Sequence, residues 1–244
     1  MLPIGDDDRD RRLTPIITYA LIAANVLFFL LELNSGEAFI TRWAFVPSRF
    51  LANPAGEFAT IFTSMFMHAG WVHLLGNMLY LWIFGDNVED RLGHALFFVF
   101  YILCGIGATL AQLAFSLGSS IPNLGASGAI AGVLGAYLVM FPGRRVNVLL
   151  GRVVTPMSAL VVIGFWIVIQ IFSQVSAFTA SSQTEGGGVA YMAHIGGFVT
   201  GIVLTFLLGG SRRALPPPVP FVDTNPHSIL KKKSGVNYEY EKVS

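Results

Sequence analysis

Residues 123–132 read NLGASGAIAG, a lone serine among glycines and alanines at the head of an apolar run. In water such a serine would be a helix cap. In lipid it would be an expensive polar group with a purpose, so the fold turns on which solvent Ser127 meets. The chain has 244 residues, of which 54% are hydrophobic and 12% charged, and its mean hydropathy is +0.65. That lies outside ordinary globular composition and reads as an integral membrane protein. A formal net charge of +1 carries no basic footprint for a nucleic-acid partner. The single cysteine, Cys104, sits inside an apolar run, which rules out an intrachain disulfide and makes it a small packing residue.

Outward from NLGASGAIAG, six runs come close to the roughly 20 apolar residues a helix needs to cross a hydrocarbon core. They are Ile16–Leu33, Ala69–Phe84, Ala95–Leu117, Ala126–Phe141, Met157–Phe178 and Val189–Leu208. The first is too long for the hydrophobic region of a signal peptide and is followed by no small-x-small site, so it is expected to be retained. Lipid offers no partner for an unpaired backbone amide, which makes every run a helix and the expected fold class an all-α membrane protein, a six-transmembrane-helix bundle. The expected layout is an N-terminal segment 1–14, a six-helix domain 15–208 and a polar, flexible tail 209–244. Apart from Arg42 and Arg49, all lysines and arginines lie in the two terminal segments, in the second-to-third connection or in the fourth-to-fifth. The positive-inside rule therefore puts both termini in the cytoplasm. The long connection from Asn34 to His68 then lies outside, and its bulky residues (FITRWAFVPSRFLANP) suggest an ordered element at the membrane surface. Asp86, Glu89, Asp90 and Arg91 read as a loop cluster that stops the second helix.

Polar groups inside spans are functional candidates by default. His73 and Asn77 share a face of the second helix, Ser127 opens the fourth and His194 lies in the sixth. At a rise of about 1.5 Å per residue all four fall in one depth band toward the external face. Gly128 and Gly132 form a GxxxG pair extended by Ala131 and Gly135, and Gly197 and Gly201 form another, so the fourth and sixth helices can approach closely. A serine hydroxyl becomes a nucleophile when a neutral imidazole takes its proton. No carboxylate lies inside the second, fourth or sixth run, so the expected unit is a Ser/His dyad. The Ser127 backbone amide, the Asn77 amide and the His73 ring N–H are candidate donors to an oxyanion. No HExxH helix is present, and neither a metal nor a cofactor is expected.

These residues resemble the rhomboid intramembrane serine proteases of prokaryotic type. The likeness covers about residues 40–208 and rests on GASG (Gly125–Gly128), AHIGGFVTG (Ala193–Gly201) and MHAGWVHLLGN (Met67–Asn77). It implies Ser127 as nucleophile and His194 as general base and acid. His73, Asn77 and the Ser127 amide look like the oxyanion donors, Gly125 like the glycine that leaves room beside the serine, and His68 like a supporting structural histidine. It further implies transmembrane protein substrates in the lipid bilayer of a prokaryotic inner or plasma membrane. Substrate would pass laterally between the second and fifth helices, with Phe165, Trp166 and Gln170 near the gate and the Thr179–Gly188 loop as cover. The alternative within the same resemblance is a non-catalytic membrane-protein binding or escort factor, which predicts loss of the serine or histidine; neither is lost. Two places depart from some relatives: Ala59 and Thr60 stand where those have Trp-Arg, and Ala131 where they have a tyrosine that stacks on the histidine.

Overall fold

Residues 1–6, 11–179, 190–209, 228–232 and 238–242 are described by the computed structural model. The chain divides into two compact units, Met1–Arg213 and Ala214–Ser244. The second holds an antiparallel hairpin, β4 (Ser228–Lys232) with β5 (Tyr238–Lys242). Most of the Thr179–Gly188 connection and of the tail lie outside the described residues.

In the first unit the apolar runs are helices: α1 (Ile16–Ser35), α6 (Trp71–Leu92), α7 (His94–Phe115), α8 (Ser127–Met140), α9 (Ala159–Thr179) and α10 (Tyr191–Leu207). Between α1 and α6 the chain folds into short turns of helix, α2 (Glu37–Trp43), α3 (Pro47–Ala52), α4 (Pro54–Glu57) and α5 (Thr60–Thr63). Among the described residues α1, α7 and Ala159–Ser176 of α9 are each long and apolar enough to cross a membrane, making this a multi-pass helical membrane protein. A fourth span arises if Pro54–Phe66 and α6, bent by 78° at their junction, count together. With 14 residues α8 is shorter than a full crossing, and α10 has 17.

What holds the centre is backbone contact rather than interlocked side chains. A Cβ placed on Gly197 would lie 2.0 Å from the Gly128 carbonyl oxygen, and one on Gly201 would lie 2.1 Å from that of Gly132. The two GxxxG pairs thus mate glycine to glycine. On the third side α7 closes against both: a Cβ on Gly132 would meet Cys104 Sγ at 2.4 Å, and one on Gly196 would meet Ala111 Cβ at 2.1 Å. Buried Cys104 is a packing residue in this seam.

The end that carries the N-terminal segment differs from the sequence expectation in two ways. First, α6 continues through Leu92, so Asp86, Glu89, Asp90 and Arg91 are helical rather than a loop. The carboxylates remain in the helix because the N-terminal segment satisfies them. Glu89, fully buried, accepts from the backbone amides of Ile17 (2.9 Å) and Thr18 (2.7 Å) and from the Thr18 hydroxyl (2.7 Å). It thereby serves the open donors at the start of α1 from another helix. Asp90 accepts from the amides of Arg12 and Leu13, and Asp86 pairs with Arg11. The helix ends at Gly93, whose φ of +82 suits a residue without Cβ. Second, the bundle carries a three-stranded antiparallel sheet in the order β1 (Leu2–Asp6), β2 (Arg145–Leu150) and β3 (Val153–Ser158). Val146 and Val148 alternate inward from β2 and are fully buried. Asp6 accepts from Asn87 and Tyr137, so the N-terminal strand is fastened to α6 and α8.

Between α1 and α6, where the Trp-Arg pair of some relatives is missing, the short helices are held by Arg49. Its guanidinium donates to the Glu57 carboxylate (2.7 Å) and to the carbonyls of Ala44 (3.1 Å) and Thr41. That pins α2, α3 and α4 together and pairs the charge of one of the two arginines in this connection. Thr60, in the position of the absent arginine, is buried and donates to the Glu57 carbonyl (2.6 Å).

Leucine has no room at the α8–α10 contact. Gly201→Leu is expected to lower the thermal unfolding midpoint in detergent, overpacking costing about 1–3 kcal/mol or more. Gly164→Ala, with nothing within 4 Å, should leave the midpoint level or raise it. Equal midpoints for the two variants would refute the packing account.

Candidate functional site

The loop before Ser127 is held from three directions. Asn123 and Phe45 exchange backbone hydrogen bonds (2.7 and 3.1 Å), and the Ser48 amide donates to the Ser119 carbonyl (3.0 Å). The Gly125 amide donates to the Ser64 carbonyl at 2.9 Å. Gly125 has φ +133, open to glycine and costly for other residues, and a Cβ there would lie 2.8 Å from His73 Cε1 and 3.5 Å from Ser127 Oγ. The glycine therefore permits both the turn and the approach of His73 to the serine. Ser127 is the first residue of α8, where backbone amides have no partner within the helix.

His194 comes from the first turn of α10, three residues before Gly197 in the glycine seam. The start of α10 is fixed by Gln112 of α7, whose Oε1 accepts from the Ala193 amide at 3.1 Å. His194 Nε2 lies 2.7 Å from Ser127 Oγ, a hydrogen bond within the bundle. On the other side of the ring, Nδ1 lies 2.8 Å from Gln170 Oε1. An amide oxygen only accepts, so this contact is a hydrogen bond in the tautomer that carries its hydrogen on Nδ1, the form that leaves Nε2 bare toward the hydroxyl. Trp166 adds a tilted ring with its centroid 5.7 Å from that of His194. Aromatic support for the histidine thus comes from α9, whereas Ala131 on α8 is buried.

His73 and Asn77 lie one turn apart on α6, whose first residue is Trp71. The Ala69 amide approaches His73 Nδ1 at 3.4 Å, which leaves Nε2 to carry the hydrogen on the side facing Gly125 and Ser127. Asn77 is buried, and its Nδ2 has no hydrogen-bond partner among the described residues. These two donors and the Ser127 amide come from two helices that the loop hydrogen bonds bring together. His68 lies just before α6: its backbone amide donates to the buried Glu32 carboxylate of α1 (3.0 Å), and its ring packs edge-on against Phe29 and His73.

Of the three gate candidates, Trp166 and Gln170 face His194, while Phe165 is exposed on α9. α9 packs on α10, α8 and the sheet, and among the described residues it forms no extensive interface with α6. Gln112 and the partnership of Gln170 with His194 escaped the sequence reading. The signal was available, since both are polar residues inside apolar helices, the rule that singled out His73, Asn77 and His194. Among the described residues no group of histidine, cysteine, aspartate and glutamate could hold a metal ion.

Fold and site together define a class: a polytopic helical membrane protein with a serine hydrogen-bonded to a histidine inside the bundle. Comparison with known proteins narrows it. The family model described as the Rhomboid domain matches residues 55–211. Rhomboid protease GluP of Bacillus subtilis is 34% identical over 197 residues, covering 80% of this chain and 35% of that protein. The rhomboid YdcA of the same species is 30% identical over 196 residues, 80% of this chain and 89% of the relative. The mitochondrial Rhomboid protein 1 of Saccharomyces cerevisiae is 29% identical over 192 residues, 77% of this chain and 51% of the relative. The chain belongs to the rhomboid family. It spans about a third of GluP and half of the yeast protein.

A methyl group at Gly125 would collide with the His73 ring. Gly125→Ala is expected to slow fluorophosphonate labelling of Ser127 by about tenfold or more, displacing an oxyanion donor being a large effect. The far-UV helical signal should not change. Labelling at the wild-type rate would show that Gly125 is not holding that space.

Proposed function

We propose that this chain is an intramembrane serine endopeptidase working through Ser127 and His194 on transmembrane protein substrates. The observation that carries the reading is the 2.7 Å contact between Ser127 Oγ and His194 Nε2, formed between two membrane helices at the end where His73 and Asn77 converge. Membership of the rhomboid family, with a relative named as a protease, supports it.

The chemistry follows from the groups present. Ser127 Oγ attacks the carbonyl carbon of the scissile peptide as its proton passes to His194 Nε2. The carbonyl oxygen becomes an oxyanion, held by the Ser127 amide, His73 Nε2–H and Asn77 Nδ2–H. His194 then gives its proton to the departing amine, the C–N bond breaks, and an acyl ester remains on Ser127. Water attacks the ester as His194 takes its proton, and return of that proton to Oγ releases the acid product and restores the pair. Substrate reaches the serine laterally between α6 and α9, where the helices are not packed together.

In this reading α1, α6, α7, α8, α9 and α10 all cross a cell membrane, with both termini in the cytoplasm. Arg11, Arg91 and Arg144 gather at the end that carries the sheet, and Arg42 and Arg49 lie in the connection toward the opposite end, as the positive-inside rule requires. Short α8 begins below the outer surface, which puts Ser127 within the membrane but open to external water.

Ser127→Ala and His194→Ala are each expected to abolish cleavage of a model transmembrane substrate in proteoliposomes. A fluorophosphonate should label wild-type protein at Ser127. Asn77→Ala should lower kcat by about 10²–10³ with KM little changed, as expected for an oxyanion donor. A Ser127→Ala protein that still cleaves would overturn the proposal. A wild-type protein that captures a membrane partner without cutting it would favour the escort alternative.

A further inference from the structure

The side chain of α9 that touches the site, Gln170, does more than line it. Its neighbours on that helix face outward: Phe165, Val168, Ile169 and Phe172 are 49%, 60%, 43% and 72% exposed, as suits a lipid-facing surface. Gln170 is 9% exposed and is the one buried polar side chain on α9 among the described residues. A primary amide buried in a membrane helix needs a partner, and this one has His194 Nδ1 at 2.8 Å. Four residues earlier, on the same helix face, Trp166 lies against the same imidazole.

We propose that Gln170 is a positioning residue, its Oε1 holding His194 in the tautomer and ring orientation in which bare Nε2 can take the Ser127 proton. The proposal rests on Ser127 and His194 being the catalytic pair. A neutral imidazole has one N–H, and a ring with its hydrogen on Nε2 would present a donor to Ser127 and could not act as its base. In triad hydrolases a buried carboxylate prevents that misassignment. Here a neutral amide performs the same selection and avoids burying an anion in lipid. The other titratable groups on this side are His73 of α6 and, beyond it, His68 with Glu32 of α1, and none of them has a hydrogen bond to His194 Nδ1. Tautomer selection therefore falls to Gln170. Trp166 restricts the swing of the ring, and Gln170 sets which nitrogen carries the hydrogen.

Gln170→Leu keeps the bulk and removes the acceptor, whereas Gln170→Glu keeps an acceptor oxygen. In proteoliposomes Gln170→Leu is expected to lower kcat by about 10–100-fold, the usual cost of losing a residue that orients a functional histidine, with KM within about twofold. Gln170→Glu should stay within about threefold of wild-type kcat, because the orienting bond survives. Independently of activity, imidazole 15N NMR of histidine-labelled protein, with the His194 signals assigned by their loss in His194→Ala, should show the Nδ1–H form in wild type and Gln170→Glu. Gln170→Leu should show Nε2–H or a mixture. Wild-type kcat with an unchanged Nδ1–H signal in Gln170→Leu would overturn the proposal, and so would equal losses in Leu and Glu variants with unchanged tautomers. If wild type shows no Ser127-dependent cleavage, the catalytic reading fails instead, while the NMR comparison still decides whether Gln170 selects the tautomer.

Discussion

The contact on which the rest depends is glycine against glycine between α8 and α10. In lipid the hydrophobic effect does not press helices together, because the surrounding chains are as apolar as leucine. Association comes from close packing and from polar groups that find each other. Where Gly197 meets the Gly128 carbonyl and Gly201 that of Gly132, the two backbones approach as closely as atoms allow. Ser127 lies one residue before Gly128 and His194 three before Gly197, so the same seam brings their side chains to 2.7 Å. A short polar contact has been built out of missing side chains. The arrangement is stiff because α7 blocks the third side, with Cys104 and Ala111 pressed on the glycines.

The two ends of the bundle do different work. At the end that carries the sheet charged groups are consumed by structure: Glu89 holds the start of α1, Asp86 and Asp90 bind the segment before it, and Asp6 ties β1 to α6 and α8. Groups more than 70 residues apart are joined there. On the side of Ser127, Asn77 Nδ2 bonds to nothing among the described residues, and a buried donor left so is costly until something accepts from it.

Much of this was legible in the sequence because membrane constraints are local. Twenty apolar residues announce a helix, paired glycines announce a close contact, and polar residues in apolar runs stand out. The parts that were not legible depend on partners far away in sequence. The run EDR near the end of α6 looks like a stop until the N-terminal amides that neutralise it are known. RVNVLL carries the alternation of a strand, but within a connection between helices it gains meaning only from pairing with VVTPMS on one side and with LPIGD, more than 130 residues earlier, on the other. Sequence locates Trp166 and Gln170 on one helix and says nothing of which way they face, so their contacts with His194 appear only in the fold. The bond from the His68 backbone to Glu32 likewise leaves no mark in the sequence.

The orientation of α9 gives it two different faces. Its outer face is covered in exposed apolar residues, as suits contact with lipid. Its inner face carries the hydrogen bond to His194 Nδ1 and the ring beside it. The serine and histidine are brought together by the glycine seam of α8 and α10, and the second hydrogen-bond partner of the histidine comes from a helix outside that seam. The contact between the two polar groups is therefore set by backbone packing, whereas the contact on the far side of the ring is set by which face of α9 turns inward.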